Sequence, residues 1–123
     1  MPSHCPPRPN VIIAEDDADL LESLRYMLEI EGFEVVTCAD GETLLDLSLP
    51  KSRACLVVDQ VLPGISGIEA LEVLRARQVD LPAVVITSAP DGELRSRTLL
   101  ANARLVEKPL LTDLLSEVIR DLV

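Results

Sequence analysis

Short apolar runs alternate along this chain with longer amphipathic segments, and the alternation repeats five times. Unbroken apolar runs are typical of parallel strands that are buried on both faces, and the segments between them predict the covering helices. The pattern therefore predicts an α/β fold, a doubly wound (βα)5 sandwich around a five-stranded parallel sheet. The predicted strands are Val11 to Ala14, Val35 to Cys38, Ala54 to Val58, Ala83 to Ile86 and a weaker Arg104 to Val106.

Capping signals predict where the helices begin. Asp19 and Glu22 have the spacing of a capping box for the first helix, and Ser66 with Glu69 repeats that spacing for the third. Asp40 is placed to cap a second helix that runs through residue 47. The remaining helices are predicted near 91–100, where the apolar stripe is weak, and over the last segment, whose apolar face contains Leu114, Leu115, Val118, Ile119 and Leu122.

Size and charge narrow the classes of function. With 123 residues the chain has the length of one domain and needs no disulfide or metal to build a core. Its net charge of −10 argues against direct binding of nucleic acid, because a phosphate-binding surface needs clustered cations and the chain has only two lysines. We expect residues 1–10, which contain four prolines, to form an extended arm, and residues 11–123 to form the domain.

The cysteines and the hydropathy pattern indicate a reducing compartment. Cys5, Cys38 and Cys55 show no CxxC pairing, and the last two fall in predicted strands, where a buried reduced thiol is usual. No apolar run reaches the roughly 18 residues of a membrane span, and the first ten residues lack the apolar stretch of a signal peptide. We therefore expect a cytoplasmic protein that makes no membrane contact.

A carboxylate stands where a buried strand ends. Asp59 directly follows the apolar run that ends at Val58, although a buried charge is costly unless it is paired. In an open parallel sheet the functional crevice lies beyond the carboxyl ends of the strands. The polar residues that follow the other strands there are Glu15, Asp16, Asp17, Thr87, Ser88, Glu107 and Lys108.

These residue types suit phosphoryl chemistry when they are taken together. If the first and third strands are neighbours, Asp16 and Asp59 converge, and their repulsion has to be relieved by a cation or by protonation. Hard oxygen ligands at an open site suit Mg²⁺. A carboxylate beside Mg²⁺ can attack a phosphoryl group while Lys108 neutralises charge and Thr87 donates a hydrogen bond. Each residue alone is an ordinary turn or surface residue, and only the combination favours a site.

The arrangement resembles the CheY-like receiver domain of bacterial two-component response regulators over about residues 10–123. The resemblance rests on Glu15-Asp16, on Asp59 followed by Leu62-Pro63 and Gly67, on Thr87 after an apolar run, and on Lys108-Pro109. It implies a flavodoxin-like sheet of order 2-1-3-4-5 and a cis Lys108–Pro109 bond. It also implies a phosphoacceptor regulator rather than an enzyme with a separate substrate.

The resemblance assigns a role to each motif residue. Asp59 would accept a phosphoryl group from a phosphohistidine on a sensor histidine kinase or a histidine phosphotransfer protein. Thr87 and Lys108 would contact that group, and Mg²⁺ would be held by Asp16, Asp59, the backbone carbonyl of Val61 and, through water, Glu15. An output domain or a separate target protein would receive the signal. The sequence leaves open whether the receiver stands alone or belongs to a longer regulator, and whether phosphorylation makes it dimerise.

Several residues depart from the family pattern. Leu105 occupies the position of a usual Tyr or Phe, and the spacing from Asn102, which can adopt the left-handed conformation, to Lys108 is one residue short. Val61 and Ala89, two positions after Asp59 and Thr87, cannot orient a hydrolytic water. We therefore predict slow self-dephosphorylation. We also predict that the surface formed by the fourth helix, fifth strand and fifth helix differs from that of other receivers. Gly67 is expected only to start a helix.

Two other functions remain as alternatives. The chain could be a receiver-like interaction module that works without phosphorylation, which Leu105 and the shortened loop make conceivable. It could also be a Mg²⁺-dependent phosphatase with an aspartyl nucleophile. That reading is disfavoured because such enzymes resemble one another in a second Asp two residues after the nucleophile, where this chain has Val61.

Overall fold

The strands form one parallel sheet of order β2-β1-β3-β4-β5, as the family resemblance implied. A computed structural model describes residues 10–108 and 112–122, with the side chains of all but 112–114. The predicted N-terminal arm, except for Asn10, and the Lys108–Pro109 bond therefore lie outside the described residues. The strands are β1 (Asn10–Ala14), β2 (Glu34–Cys38), β3 (Ala54–Asp59), β4 (Ala83–Thr87) and β5 (Arg104–Glu107).

The central strand carries the first of the predicted site residues. All six residues of β3 are buried because β1 and β4 pair with its two edges and helices cover its two faces. The strand extends one residue beyond the predicted end, so that Asp59 belongs to it. Ala14 pairs with Val58 in the neighbouring strand, which brings the residues after β1 close to the end of β3.

Five helices connect the strands, and their caps explain where they begin. They are α1 (Ala18–Ile30), α2 (Gly41–Asp46), α3 (Gly67–Ala76), α4 (Gly92–Leu100) and α5 (Thr112–Leu122). The predicted caps Ser66, with its full capping box, and Asp40 are confirmed. The prediction for α1 was wrong. Its N-cap is Asp17, whose carboxylate accepts hydrogen bonds from the N–H groups of Asp19 and Leu20, so Asp19 lies inside the first turn.

The core has two apolar layers, one on each face of the sheet. Leu24 and Leu28 of α1 pack with Leu115 and Ile119 of α5 on one face. Helices α2, α3 and α4 cover the other face. The thiols of Cys38 and Cys55 are buried and free, as predicted. Among the described helices none is both long enough and apolar enough to cross a bilayer.

Helix α4 is joined to α3 by polar contacts as well as by its buried side chains. Its buried residues are Leu94 and Thr98, whereas Leu99 and Leu100 are exposed. Arg97 donates to the Glu72 carboxylate of α3 with 3.0 Å between Nε and Oε2. Arg75, also from α3, donates from Nε to the carbonyl oxygen of Ala101 at 2.7 Å, immediately after α4 ends. Polar and ionic contacts thus join the two helices.

The turn from α4 to β5 confirms one detail of the sequence analysis. Asn102 adopts the left-handed conformation with φ of 53°. Leu105 is half-buried against the core and lines a surface cavity of about 230 Å³ together with Thr98, Leu99 and Ala103. An aliphatic side chain therefore fills the position where the family usually has an aromatic ring.

Candidate functional site

The carboxyl ends of β1 and β3 bring two acidic side chains into the protein interior. Asp59 is 4% exposed and Glu15, the first residue after β1, is 2% exposed. The backbone N–H of Glu15 donates to the Cys38 carbonyl at 3.0 Å, which fixes the chain as it leaves the sheet. Parallel pairing of β1 with β3 is thus the reason that residues distant in sequence meet.

Three carboxylates form one cluster at this edge. Glu15, Asp16 and Asp59 each offer an oxygen, and the three oxygens lie within 4.8 Å of one another. Asp16 is exposed whereas the other two are buried, so the cluster opens to solvent on the Asp16 side. The convergence of Asp16 and Asp59 predicted from strand order is therefore observed.

Lys108 is the cation of the site. Its Nζ lies 3.2 Å from Oδ2 of Asp59 and 3.6 Å from Oε1 of Glu15. The backbone N–H of Lys108 donates to the Thr87 carbonyl at 2.8 Å, so the pairing of β5 with β4 positions it. One lysine thus contacts the two buried carboxylates of the cluster.

Burial and neighbouring charges shift two ionisation equilibria. Burial, followed by contact with Asp59, raises the pKa of Glu15 to about 7, although the Asp17 N–H and Lys108 act in the opposite direction. Burial on its own would lower the pKa of Lys108. The hydrogen bond to Asp59 and the charges of Asp59 and Glu15 outweigh burial and raise it above its usual value. Lys108 is therefore charged at neutral pH. A further cation close to Glu15 would lower the raised pKa of that carboxyl.

The donor set fits a divalent cation. Glu15 Oε1 is buried and accepts no hydrogen bond from the described residues, with Lys108 Nζ at 3.6 Å. An oxygen in this position is costly to leave unpaired, and carboxylates that crowd together repel one another. Mg²⁺ prefers carboxylate and carbonyl oxygens at open sites where it keeps part of its water shell. The three carboxylates of this cluster are ligands of that type.

The other predicted site residues lie around the cluster. Thr87 ends β4 and is 3% exposed, and its Oγ1 accepts a hydrogen bond from the Ala89 N–H at 3.1 Å. The N–H of Val61 lies 3.4 Å from Oδ1 of Asp59, while its side chain is 70% exposed. Ala89 is also exposed. The two side chains that we expect to face an attacking water are therefore apolar and open to solvent.

Two residues, one just after β3 and one at the start of α3, were missed or undervalued in the sequence analysis. A Cβ at Gly67 would lie 2.9 Å from the carbonyl carbon of Asp59 and 3.0 Å from Cγ1 of Val58. Glycine is thus required by contact with the backbone of Asp59, and not only to start a helix. Gln60 holds the start of α3 through its side chain. No sequence signal indicated this contact, because its partners are eight residues apart and joined by the irregular segment 60–66.

Comparison with known proteins agrees with this geometry. Residues 11–120 match the family described as response regulator receiver domain. The chain is 36% identical over 100 residues to the transcriptional regulatory protein FixJ of Azorhizobium caulinodans, which covers 80% of this chain and 47% of FixJ. It is 33% identical over 95 residues to the transcriptional regulatory protein PrrA of Mycobacterium tuberculosis, which covers 77% of this chain and 41% of PrrA.

Solved structures show the same relationship. A sensor protein from Polaromonas sp. JS666 superposes with a TM-score of 0.83 at 31% identity, over 94% of this chain and 96% of that one. The chain spans about half the length of FixJ, or less than half in the case of PrrA. Both the sequence match and the shared fold extend over nearly the whole chain. The chain therefore belongs to the response regulator receiver domain family of two-component signalling proteins.

Proposed function

We propose that Asp59 accepts a phosphoryl group from a phosphohistidine on a sensor histidine kinase or a histidine phosphotransfer protein. The observation that carries the proposal is the Lys108 Nζ, which lies 3.2 Å from Oδ2 of Asp59 beside an acidic cluster that opens to solvent at Asp16. A cation at this distance neutralises the nucleophile before reaction and the phosphoryl oxygens afterwards. A purely structural ion pair would not need Asp16 beside it.

The reaction needs few groups from the protein. A carboxylate oxygen of Asp59 forms a bond to phosphorus while the bond from phosphorus to the donor imidazole nitrogen breaks, and the electron pair stays on that nitrogen. Lys108 moves from the carboxylate to the transferred oxygens. Mg²⁺, held by Asp16, Asp59, the Val61 carbonyl and, through water, Glu15, supplies charge stabilisation at those oxygens when bound.

The same site explains how phosphorylation changes a surface. The Thr87 hydroxyl oxygen now accepts from the Ala89 N–H, and a phosphoryl group on Asp59 offers that hydroxyl a strong acceptor. Movement of Thr87 towards the phosphoryl group pulls on the segment that leads into α4. The modified carboxylate therefore favours a second arrangement of α4 and β5, which a target protein or an attached output domain in the cytoplasm recognises.

A phosphorylation assay tests the assignment. The purified chain is incubated with acetyl phosphate and Mg²⁺, and intact-mass spectrometry measures the addition of a phosphoryl group. We expect addition to the natural chain and none to Asp59→Asn. Asp40→Asn is the matched control, because it alters a helix-capping carboxylate outside the acidic cluster and should leave addition unchanged. Phosphate on another residue in Asp59→Asn would refute the assignment.

A second function is favoured by one observation. Half-buried Leu105 has neither a ring nor a hydroxyl that could follow Thr87, so coupling between the site and the β5 surface can be weak. The chain would then be an interaction module whose partner binds regardless of phosphorylation. Equal affinity for a captured partner with and without acetyl phosphate would support this function over the switch.

A further inference from the structure

Gln60 directly follows Asp59 and is hydrogen-bonded to two other elements, β4 and α3. Its backbone N–H donates to the Ile86 carbonyl of β4 at 2.8 Å. Its backbone carbonyl accepts from the Gly67 N–H at 3.0 Å, and its side-chain Oε1 accepts from the Ile68 N–H at 2.9 Å. Three hydrogen bonds in three directions thus fix one half-buried residue.

Gln60 also completes the start of α3. The first N–H groups of a helix have no partner within the helix and need acceptors from outside. Here the first and second, from Gly67 and Ile68, both donate to Gln60, and the third, from Glu69, donates to Oγ of Ser66 at 3.3 Å. Two of the three acceptors therefore come from a residue on the far side of the loop.

The anchoring helix is well buried. Ile68 and Leu71 are fully buried, and Gly67 contacts the backbone of Asp59 closely enough to exclude a Cβ. Residues 60–67 therefore form a loop closed at both ends. Because Gln60 stands between Asp59 and Val61, its position determines where both of those residues lie.

We infer that Gln60 is a positioning residue that holds the Asp59 carboxylate and the Val61 carbonyl at the metal and phosphoryl site. This role rests on the proposed function of Asp59 and adds to it a residue that touches neither metal nor phosphate. Gln60 acts through its side-chain oxygen: without that acceptor the Ile68 N–H is left unpaired, and Gln60 keeps only its backbone bond from the Gly67 N–H to α3. Groups that orient metal ligands typically change metal affinity when they are removed.

The test compares three variants of the full chain. Gln60→Met keeps the length of the side chain and removes the acceptor. Ser66→Ala removes the neighbouring acceptor at the same helix end without touching the residues after Asp59. Gln60→Glu restores an oxygen at the same place. Amide NMR follows the Mg²⁺ titration of Val61 and the hydrogen exchange of Ile68, and mass spectrometry gives the phosphorylation rate at saturating Mg²⁺.

We expect Gln60→Met to raise the Mg²⁺ concentration for half-saturation about 10-fold and to accelerate exchange at Ile68. Ser66→Ala should lower the melting temperature about as much as Gln60→Met does, but it should leave Mg²⁺ binding unchanged. Gln60→Glu should return both Ile68 exchange and the phosphorylation rate at saturating Mg²⁺ towards their natural values.

Equal changes in Mg²⁺ binding for Gln60→Met and Ser66→Ala would reduce Gln60 to a helix cap and overturn the inference. Unchanged binding in Gln60→Met would overturn it as well. Failure of the natural chain to take up phosphate would instead refute the role of Asp59. The Mg²⁺ titration and the exchange at Ile68 still decide the role of Gln60 in that case.

Discussion

Replacing Gly67 with alanine would place a methyl carbon 2.9 Å from the carbonyl carbon of Asp59, and closer still to its oxygen. Contacts between unbonded carbon atoms are normally about 3.5 Å or longer, so the gap falls short by roughly half an ångström. The obstructing atoms belong to the backbone of β3, which is paired on both edges. They cannot yield as a flexible side chain would, so the start of α3 and the end of β3 have to separate.

Overpacking of this kind typically costs about 1–3 kcal/mol, and a rigid backbone neighbour places Gly67→Ala near the upper end. The higher helix propensity of alanine offsets up to about 1 kcal/mol of this destabilisation. We therefore expect a net loss of about 2 kcal/mol in the free energy of unfolding. For a chain of this length that corresponds to a melting temperature lowered by about 8 °C. Because Asp59 itself is displaced, phosphorylation should slow by up to about 100-fold.

Gly92→Ala is the matched control. Gly92 also occupies the first position of a helix after a capping side chain, and a Cβ there would meet no atom within 4 Å. We expect it to be neutral or to stabilise the chain by up to about 1 kcal/mol. Urea unfolding and the rate of acetyl phosphate uptake are measured for both variants. Natural stability and a natural rate in Gly67→Ala would refute the reasoning.

Three other changes test separate parts of the structure. Arg75→Met removes donors to the carbonyls of Val79, Leu81, Ala101 and Asn102, and should cost about 2–4 kcal/mol in urea unfolding; a loss below 1 kcal/mol would contradict this estimate. Burial raises the pKa of Cys55 to about 12, so above about pH 9 the unfolded chain loses a proton that the folded chain keeps, and stability should fall by up to about 1.4 kcal/mol per pH unit. Between pH 8 and 11 the free energy of unfolding should fall less steeply with pH in Cys55→Ala than in the natural chain. Equal slopes in the two proteins would count against burial of Cys55 as the cause. The exposed apolar side chains of Val61 and Ala89 predict slow loss of phosphate from Asp59, followed by mass spectrometry after removal of acetyl phosphate, and a lifetime of only seconds would overturn that prediction.

The strands of the sheet were predicted well because a parallel strand buried on both faces appears in the sequence as a continuous apolar run. Runs such as Ala54 to Val58 identify a strand without reference to the rest of the chain, and each strand end was placed within one residue. The start of α1 was misplaced because Asp17 and Asp19 are both competent caps. Only the backbone path after β1 decides which of them faces the free N–H groups.

The site was predictable where it follows from strand ends and unpredictable where it depends on loops. Asp16, Asp59 and Lys108 meet because parallel strands deliver their last residues to one edge of the sheet. The contact of Gln60 with Ile68 depends instead on how the loop between β3 and α3 closes. The conformation of that loop cannot be predicted from residue type and periodicity.

The way α4 is attached has a consequence for local stability. Leu94 and Thr98 are its buried residues, and two further contacts join it to α3: Arg97 pairs with Glu72, and Arg75 donates to the Ala101 carbonyl. Ion pairs near the surface weaken as added salt screens them, whereas apolar contacts do not. The amides of α4 should therefore exchange with solvent through a local opening that becomes easier at high ionic strength. The amides of β3 should open only when the whole domain unfolds.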